Sequence, residues 1–353
     1  MSKKNKKSKS MAVQPKAKSK ILRKALKYII GVAVLLAIFG TIYWAVIMFV
    51  LTQTDDASND RNIVAYNVLG INKIDMVCPD GNNPDGTYAQ FAFDTGAGNL
   101  ITRSTLDELR KRGYHVTEFF WPIFGNSASN GSHFFPMACF VDFPYKARSV
   151  DIKSKGKTKT ITTQETTIRR VYFQIGSDNL LGRDFMNHFY SEFTGDREVL
   201  LLHHSMPEGY NTKVDLIIRN YYQGSFYSGN GRPYWKLPLN GVMHEFYIDT
   251  GRSAIIDSLC MGMFAPYSEY NGNQPAKEFH GTDIGGSLKS SYCNWDSCIF
   301  SVGEQRIYAD VLYEQGSPRS PYAVNPLYVH TEDGELFDIL FDFSHHALYL
   351  KNE

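Results

Sequence analysis

The feature that most constrains this chain is an internal repeat. The stretch Gln90-FAFDTGAGNLITRSTLDELRK parallels Glu245-FYIDTGRSAIIDSLCMGMF. Each copy runs an aromatic-rich strand into Asp-Thr-Gly, then three variable residues, two apolar residues and a short capped helix. Matching segments close each copy. Leu180-Leu181-Gly182-Arg183-Asp184-Phe185 precedes Phe193-TGDREVLLL in the first, and Val324-Asn325-Pro326-Leu327-Tyr328 precedes Phe341-DFSHHALYL in the second. Two units of roughly 140 residues imply a duplicated fold, with the junction near Ser205–Tyr234.

The rest of the body reads as strands. Aromatic residues make up 14% of the chain, and strands favour them. Short apolar runs at Gln90–Phe93, Arg170–Ile175, Val199–Leu202, Glu245–Ile248 and Ala347–Leu350 alternate with turn signals, which predicts an all-β fold. Helical signals are few. Thr105 with Glu108 three residues on makes a capping box, and Gly113 is a stop for that helix. Asp257 or Ser258 would cap a second short helix that ends before Pro266.

One Asp-Thr-Gly arises by chance in roughly one chain in fifteen of this length. Two at corresponding places, each directly after a strand, form a pattern with chemical meaning. The glycine permits a tight turn at the strand end, which presents the preceding carboxylate. Two such turns facing each other bring two carboxylates close enough to share one proton, because like charges at that distance cannot both ionise. The ionised partner then serves as a base toward water, and the protonated partner polarises a carbonyl. That chemistry requires neither metal nor cofactor.

With these motifs the sequence resembles the pepsin and retroviral-protease superfamily over most of residues 63–353. Its short apolar blocks are similar to those of bacterial retropepsin-like aspartyl proteases. The resemblance implies a bilobal, all-β acid-protease fold, with a first lobe over 63–210 and a second over 211–353. It implies catalysis by Asp94 and Asp249, a reciprocal grip between Thr95 and Thr250, and turns at Gly96 and Gly251. A single chain carrying both turns needs no dimerisation to complete the site. Two departures stand out. Arg252 follows the second turn where the family usually has Ser, Thr or Ala, and a guanidinium reaching the dyad would favour ionised carboxylates. Asn325 stands in the apparent place of Gly182, and asparagine tolerates left-handed backbone better than most residues. The flap expected over such a site is not identifiable; Gly125–Gly131 and Gly281–Ser287 are the candidate segments.

The first 54 residues carry 11 Lys and Arg and no acid, leaving 26 basic against 36 acidic residues, a net of −10, for the rest. A basic tail on an acidic body argues against nucleic-acid binding. Tyr28–Gln53 contains no charge and is long enough to cross a hydrocarbon core of about 30 Å. The expected layout is a basic cytoplasmic tail over 1–27, a single-pass anchor over 28–53, a linker over 54–62 and an extracytoplasmic body. A cleaved signal peptide is the rival, but its apolar region is normally about 7–15 residues.

Other features carry less. Cys293 and Cys298 would close a small loop in oxidising surroundings, or the five cysteines are mostly buried thiols. The pairs His203-His204 and His345-His346 offer no third metal ligand, and Lys153–Thr163 reads as a solvated basic hairpin. Three readings of function follow: an endopeptidase acting on peptides or proteins, a degenerate homologue that binds them without cutting, and a structural β-rich ectodomain.

Overall fold

The computed structural model describes residues 15–46, 64–70, 72–78, 89–120, 125–128, 131–134, 136–154, 157–219, 232–239, 242–251, 255–257, 277–282, 288–302, 305–314 and 323–351. The chain divides into two units, Met1–Gln53 and Thr54–Glu353. The first contains one helix, α1 (Pro15–Val46). Proline suits the first helical turn, and the Lys, Ala, Leu and Arg that follow are strong helix formers. The helix therefore begins inside the basic tail rather than at Tyr28. Leu22–Val46, 25 residues, is apolar enough to cross a membrane, and its rise of about 37 Å exceeds the hydrocarbon thickness.

The second unit is mostly β-sheet. Its first half contains β1 (Val64–Leu69), β2 (Lys73–Asp75), β3 (Gln90–Phe93), β4 (Leu100–Thr102), α2 (Arg103–Lys111), β5 (Val116–Phe120), β6 (Gly125–Ala128), β7 (Gly131–Phe134), β8 (Met137–Tyr145), β9 (Ser149–Ser154), β10 (Lys157–Thr162), β11 (Thr166–Gly176), β12 (Leu180–Leu181), α3 (Arg183–Met186), β13 (Tyr190–Phe193) and β14 (Val199–His203). The second half contains β15 (Thr212–Arg219), β16 (Arg232–Leu239), β17 (Val242–Ile248), β18 (Ile255–Asp257), β19 (Lys277–Thr282), β20 (Leu288–Val302), β21 (Gln305–Glu314), β22 (Ala323–Val324), a 3-10 turn (Pro326–Tyr328), β23 (Val329–His330), β24 (Asp338–Asp342) and β25 (Ala347–Lys351).

Strand pairing repeats between the halves. β3 leads into the first Asp-Thr-Gly and runs parallel to β12; β17 leads into the second and runs parallel to β22. β4-β11-β8-β5 form one set of neighbours and β18-β21-β20-β19 the matching set, with the same parallel and antiparallel senses. Among the described residues the hairpins β6–β7 and β9–β10 have no counterpart in the second half, nor β23 in the first. The closing strands meet at the centre, in the order β15-β25-β24-β13-β14-β1. There Ser191 pairs with Phe341 and Phe193 with Ile339, so equivalent residues exchange partners as about a local two-fold axis. Every residue of β14 and β24 is buried, as expected of strands covered on both faces. Phe93 packs edge-on against Phe193 at 4.8 Å, and against Phe341 at 5.7 Å, so aromatic residues of both halves fill the core beneath the turns.

Two local expectations are corrected, and a third falls outside the described residues. Helix α2 starts earlier than the capping box suggested: Thr102 leaves β4 extended (φ −76°, ψ 153°), and its hydroxyl accepts from Thr105 N at 3.2 Å. Thr105 is thus the third helical residue, and Glu108 binds Arg112 instead. Gly113, at φ 83°, does stop the helix. Asp257 ends strand β18, and residues 258–266 lie outside the described residues. Cys293 and Cys298 both lie on β20, opposite Glu314 and Ala309. Five steps along a strand separate their Cα atoms by about 16 Å, against a bridging limit near 7 Å, so the small disulfide loop does not form. The linker 54–62 lies outside the described residues.

Candidate active site

Each Asp-Thr-Gly sits where a strand ends, held by the repeat's own pairing. Asp94 N donates to Leu181 O at 2.9 Å, and Asp249 N donates to Val324 O at 3.1 Å. The two turns then lock into each other. Thr95 N donates to Thr250 Oγ1 at 3.0 Å, and Thr250 N donates to Thr95 Oγ1 at 3.0 Å. Each hydroxyl passes its own proton onward: Thr95 Oγ1 donates to Ile248 O at 2.9 Å, and Thr250 Oγ1 donates to Phe93 O at 2.7 Å. Both threonines are buried, so these four bonds are shielded from water.

The lattice sets the carboxyl groups face to face. Asp94 Oδ1 accepts from Gly96 N at 2.7 Å, and Asp249 Oδ1 accepts from Gly251 N at 3.1 Å. A side-chain carbon on Gly96 would lie 2.9 Å from Asp249 Cγ, and one on Gly251 would lie 2.6 Å from Asp94 Cγ. Each glycine therefore leaves the space that the opposite carboxylate occupies. The Asp94 and Asp249 carboxyls are close enough to act directly on each other. Burial and the charge of Asp249 raise Asp94 well above the usual carboxylate range, while the Gly96 amide and the more distant Arg183 charge pull the other way. Such a pair holds one proton between two carboxyl groups.

Gly182 fixes the first turn from the side. Asn99 Oδ1 accepts from Gly182 N at 2.7 Å, and Arg183 N donates to Ala97 O at 3.1 Å. A side-chain carbon on Gly182 would lie 2.3 Å from Ala97 O, which excludes any larger residue. Backbone handedness is not the reason for glycine here, since Gly182 has φ −99°. Nor does Asn325 use a left-handed backbone: its φ is −98°. Its side chain is the point, because Oδ1 accepts from Leu327 N at 3.0 Å and Nδ2 donates to Thr250 O at 3.1 Å. Arg252 lies outside the described residues.

Sequence reading missed several residues at this centre. Asn72, 178 positions before Thr250, donates from Nδ2 to Thr250 O at 2.8 Å. Tyr247 lies two residues before Asp249 on β17, and its hydroxyl is 2.8 Å from where a side-chain carbon on Gly96 would sit. Arg183 is buried and close enough for its charge to act on both Asp94 and Tyr247. Only Tyr247 carried a signal, since strand alternation puts it on the same side as Asp249.

The other candidate features have local roles. The flap segment Gly125–Gly131 belongs to the hairpin β6–β7, in which Gly125 pairs with Phe134 and Ala128 with Gly131. Of Gly281–Ser287, residues 283–287 lie outside the described residues. His203 pairs with Glu192, His345 binds Asp342, and the His204 ring packs 5.4 Å from Phe189. The basic hairpin β9–β10 exposes Lys153, Lys157 and Lys159 while Val150, Ile152 and Ile161 pack on Ala65, Val199 and Leu201. Comparison with known proteins finds no protein-family model that matches the chain and no curated protein with significant similarity to it.

Proposed function

We propose that this protein is a membrane-anchored aspartic endopeptidase of bilobal, pepsin- and retropepsin-like fold, hydrolysing peptide bonds with Asp94 and Asp249. The observation that carries the reading is the reciprocal threonine lattice, which presses two Asp-Thr-Gly turns together and sets their carboxyl groups against each other. A structural turn has no need of that arrangement, which costs stability by crowding two acids together.

The chemistry follows from the shared proton. A water between the carboxyls loses a proton to Asp249 as its oxygen bonds to the scissile carbonyl carbon. The carbonyl π pair moves onto its oxygen, which receives the proton held by Asp94. Collapse of the tetrahedral adduct breaks the C–N bond; the proton taken up by Asp249 goes to the leaving nitrogen, and the hydroxyl proton returns to Asp94. No covalent enzyme intermediate forms. Helix α1 anchors the chain, and the eleven basic residues before the apolar run keep its N-terminus cytoplasmic, leaving the dyad on the far side.

The test takes the full chain in detergent, offers it a diverse peptide library from about pH 3 to 8, and reads products by mass spectrometry. New internal termini support an endopeptidase. Peptides that are captured by folded protein but stay intact at every pH move the reading to a binding homologue.

A further inference from the structure

We propose that Tyr247 is a third hydrogen-bond donor of the reaction centre, stabilising the oxygen that becomes negative as water adds to the scissile carbonyl. The inference rests on the proposed peptidase reading and adds a catalytic residue to it. Tyr247 lies on β17 and Asp249 directly follows its end, two positions on, the spacing that puts side chains on one side of an extended chain. The phenol reaches across to the first turn, where its oxygen lies 2.8 Å from the carbon that any side chain on Gly96 would add, beside Asp249 Cγ and Oδ1 at 2.9 Å from that same point. It thus borders the space in which a carbonyl must sit to meet both carboxyls.

Its surroundings suit a donor and no other role. The ring is fixed by the Arg232 guanidinium 5.1 Å over its centre and by Tyr234 at 5.6 Å. Burial and the Asp249 charge keep it protonated, although Arg183 and Arg232 oppose them. A neutral phenol beside two carboxyls cannot act as base; it can donate. Throughout the reaction Tyr247 keeps its proton. It shortens a hydrogen bond as negative charge grows on the carbonyl oxygen, so the interaction is stronger in the transition state than in the ground state.

The test uses full-length Tyr247→Phe in detergent, a change that keeps the ring stacked under Arg232, with unfolding temperature checked against wild type. On the best peptide from the library, kcat is expected to fall about 10- to 100-fold while KM moves less than about threefold. A peptide whose scissile amide is replaced by a secondary alcohol, mimicking the tetrahedral adduct, should lose affinity by a similar factor. Unchanged kcat and alcohol affinity in the variant, with an active wild type, overturn the inference and leave the peptidase reading standing. A change confined to KM also overturns it, making Tyr247 a wall of the cleft. A folded wild type that neither cleaves peptides nor binds the alcohol removes both.

Discussion

At the scale of single residues, the site is built from groups whose partners lie far away in sequence. Asp94, Thr95, Gly96, Asp249, Thr250 and Gly251 were legible because the repeat marks them twice. Asn72 was not, and Tyr247 was legible only in the side of the strand it takes, since their partners Thr250 and Gly96 lie more than 150 positions away along the chain. Thr95→Val tests the lattice directly. Valine keeps the shape but leaves Thr250 N without an acceptor and Ile248 O without a donor, both in buried backbone. A loss of about 2–4 kcal/mol is expected from denaturant unfolding of the full chain. Thr250→Val should cost about the same, because the lattice is symmetric.

At the scale of elements, local pattern located the strands well and their joints poorly. Every apolar run singled out in the sequence lies within a strand, because alternation and aromatic content act locally. The start of α2 was misplaced because its cap comes from the end of strand β4, and a capping box downstream looks the same in one dimension. Nothing local indicated that Cys293 and Cys298 share one long strand. The most consequential joint is also non-local. Arg197, buried in the β13–β14 turn at φ 56°, donates to Thr194 O at 2.6 Å and Phe337 O at 2.7 Å through Nη1, and to Leu327 O at 3.0 Å through Nε. It ties the closing turn of the first copy to the second. Arg197→Ala should strand the carbonyls of Leu327 and Phe337, while Thr194 O keeps the residue's own backbone amide, and lower stability by about 2–4 kcal/mol, measured by chemical unfolding. Arg197→Lys should rescue little of that, because one ammonium cannot reproduce the planar fork.

At the scale of the molecule, the duplicated topology and the acidic body make one prediction about pH. Burial raises Asp94, and burial with the Glu192 charge raises Asp338 to about 6. A carboxyl raised on folding costs stability while ionised, and that cost is relieved as pH falls through its folded value. Glu192 has the opposite sign. Burial works to raise it, but the hydrogen bond and charge of His203 win and lower it, so its contribution fades as pH falls through its ordinary range. The unfolding temperature should therefore rise from about pH 8 to about pH 5 and turn over below about pH 4.5. Relief of repulsion in a body of net −10 acts in the same direction on the first limb. Asp94→Asn and Asp338→Asn should each flatten that rise, and a wild-type curve that falls from pH 8 to 5 would contradict it.

The most direct measurement compares cleavage by the full-length wild type with Asp94→Asn and Asp249→Asn across the same pH range. The account predicts that each variant keeps its fold, is at least as stable as wild type near neutral pH, and loses cleavage by about 10³-fold or more. A folded Asp94→Asn or Asp249→Asn protein that still cuts the same bonds at a rate near wild type would contradict the shared-proton dyad.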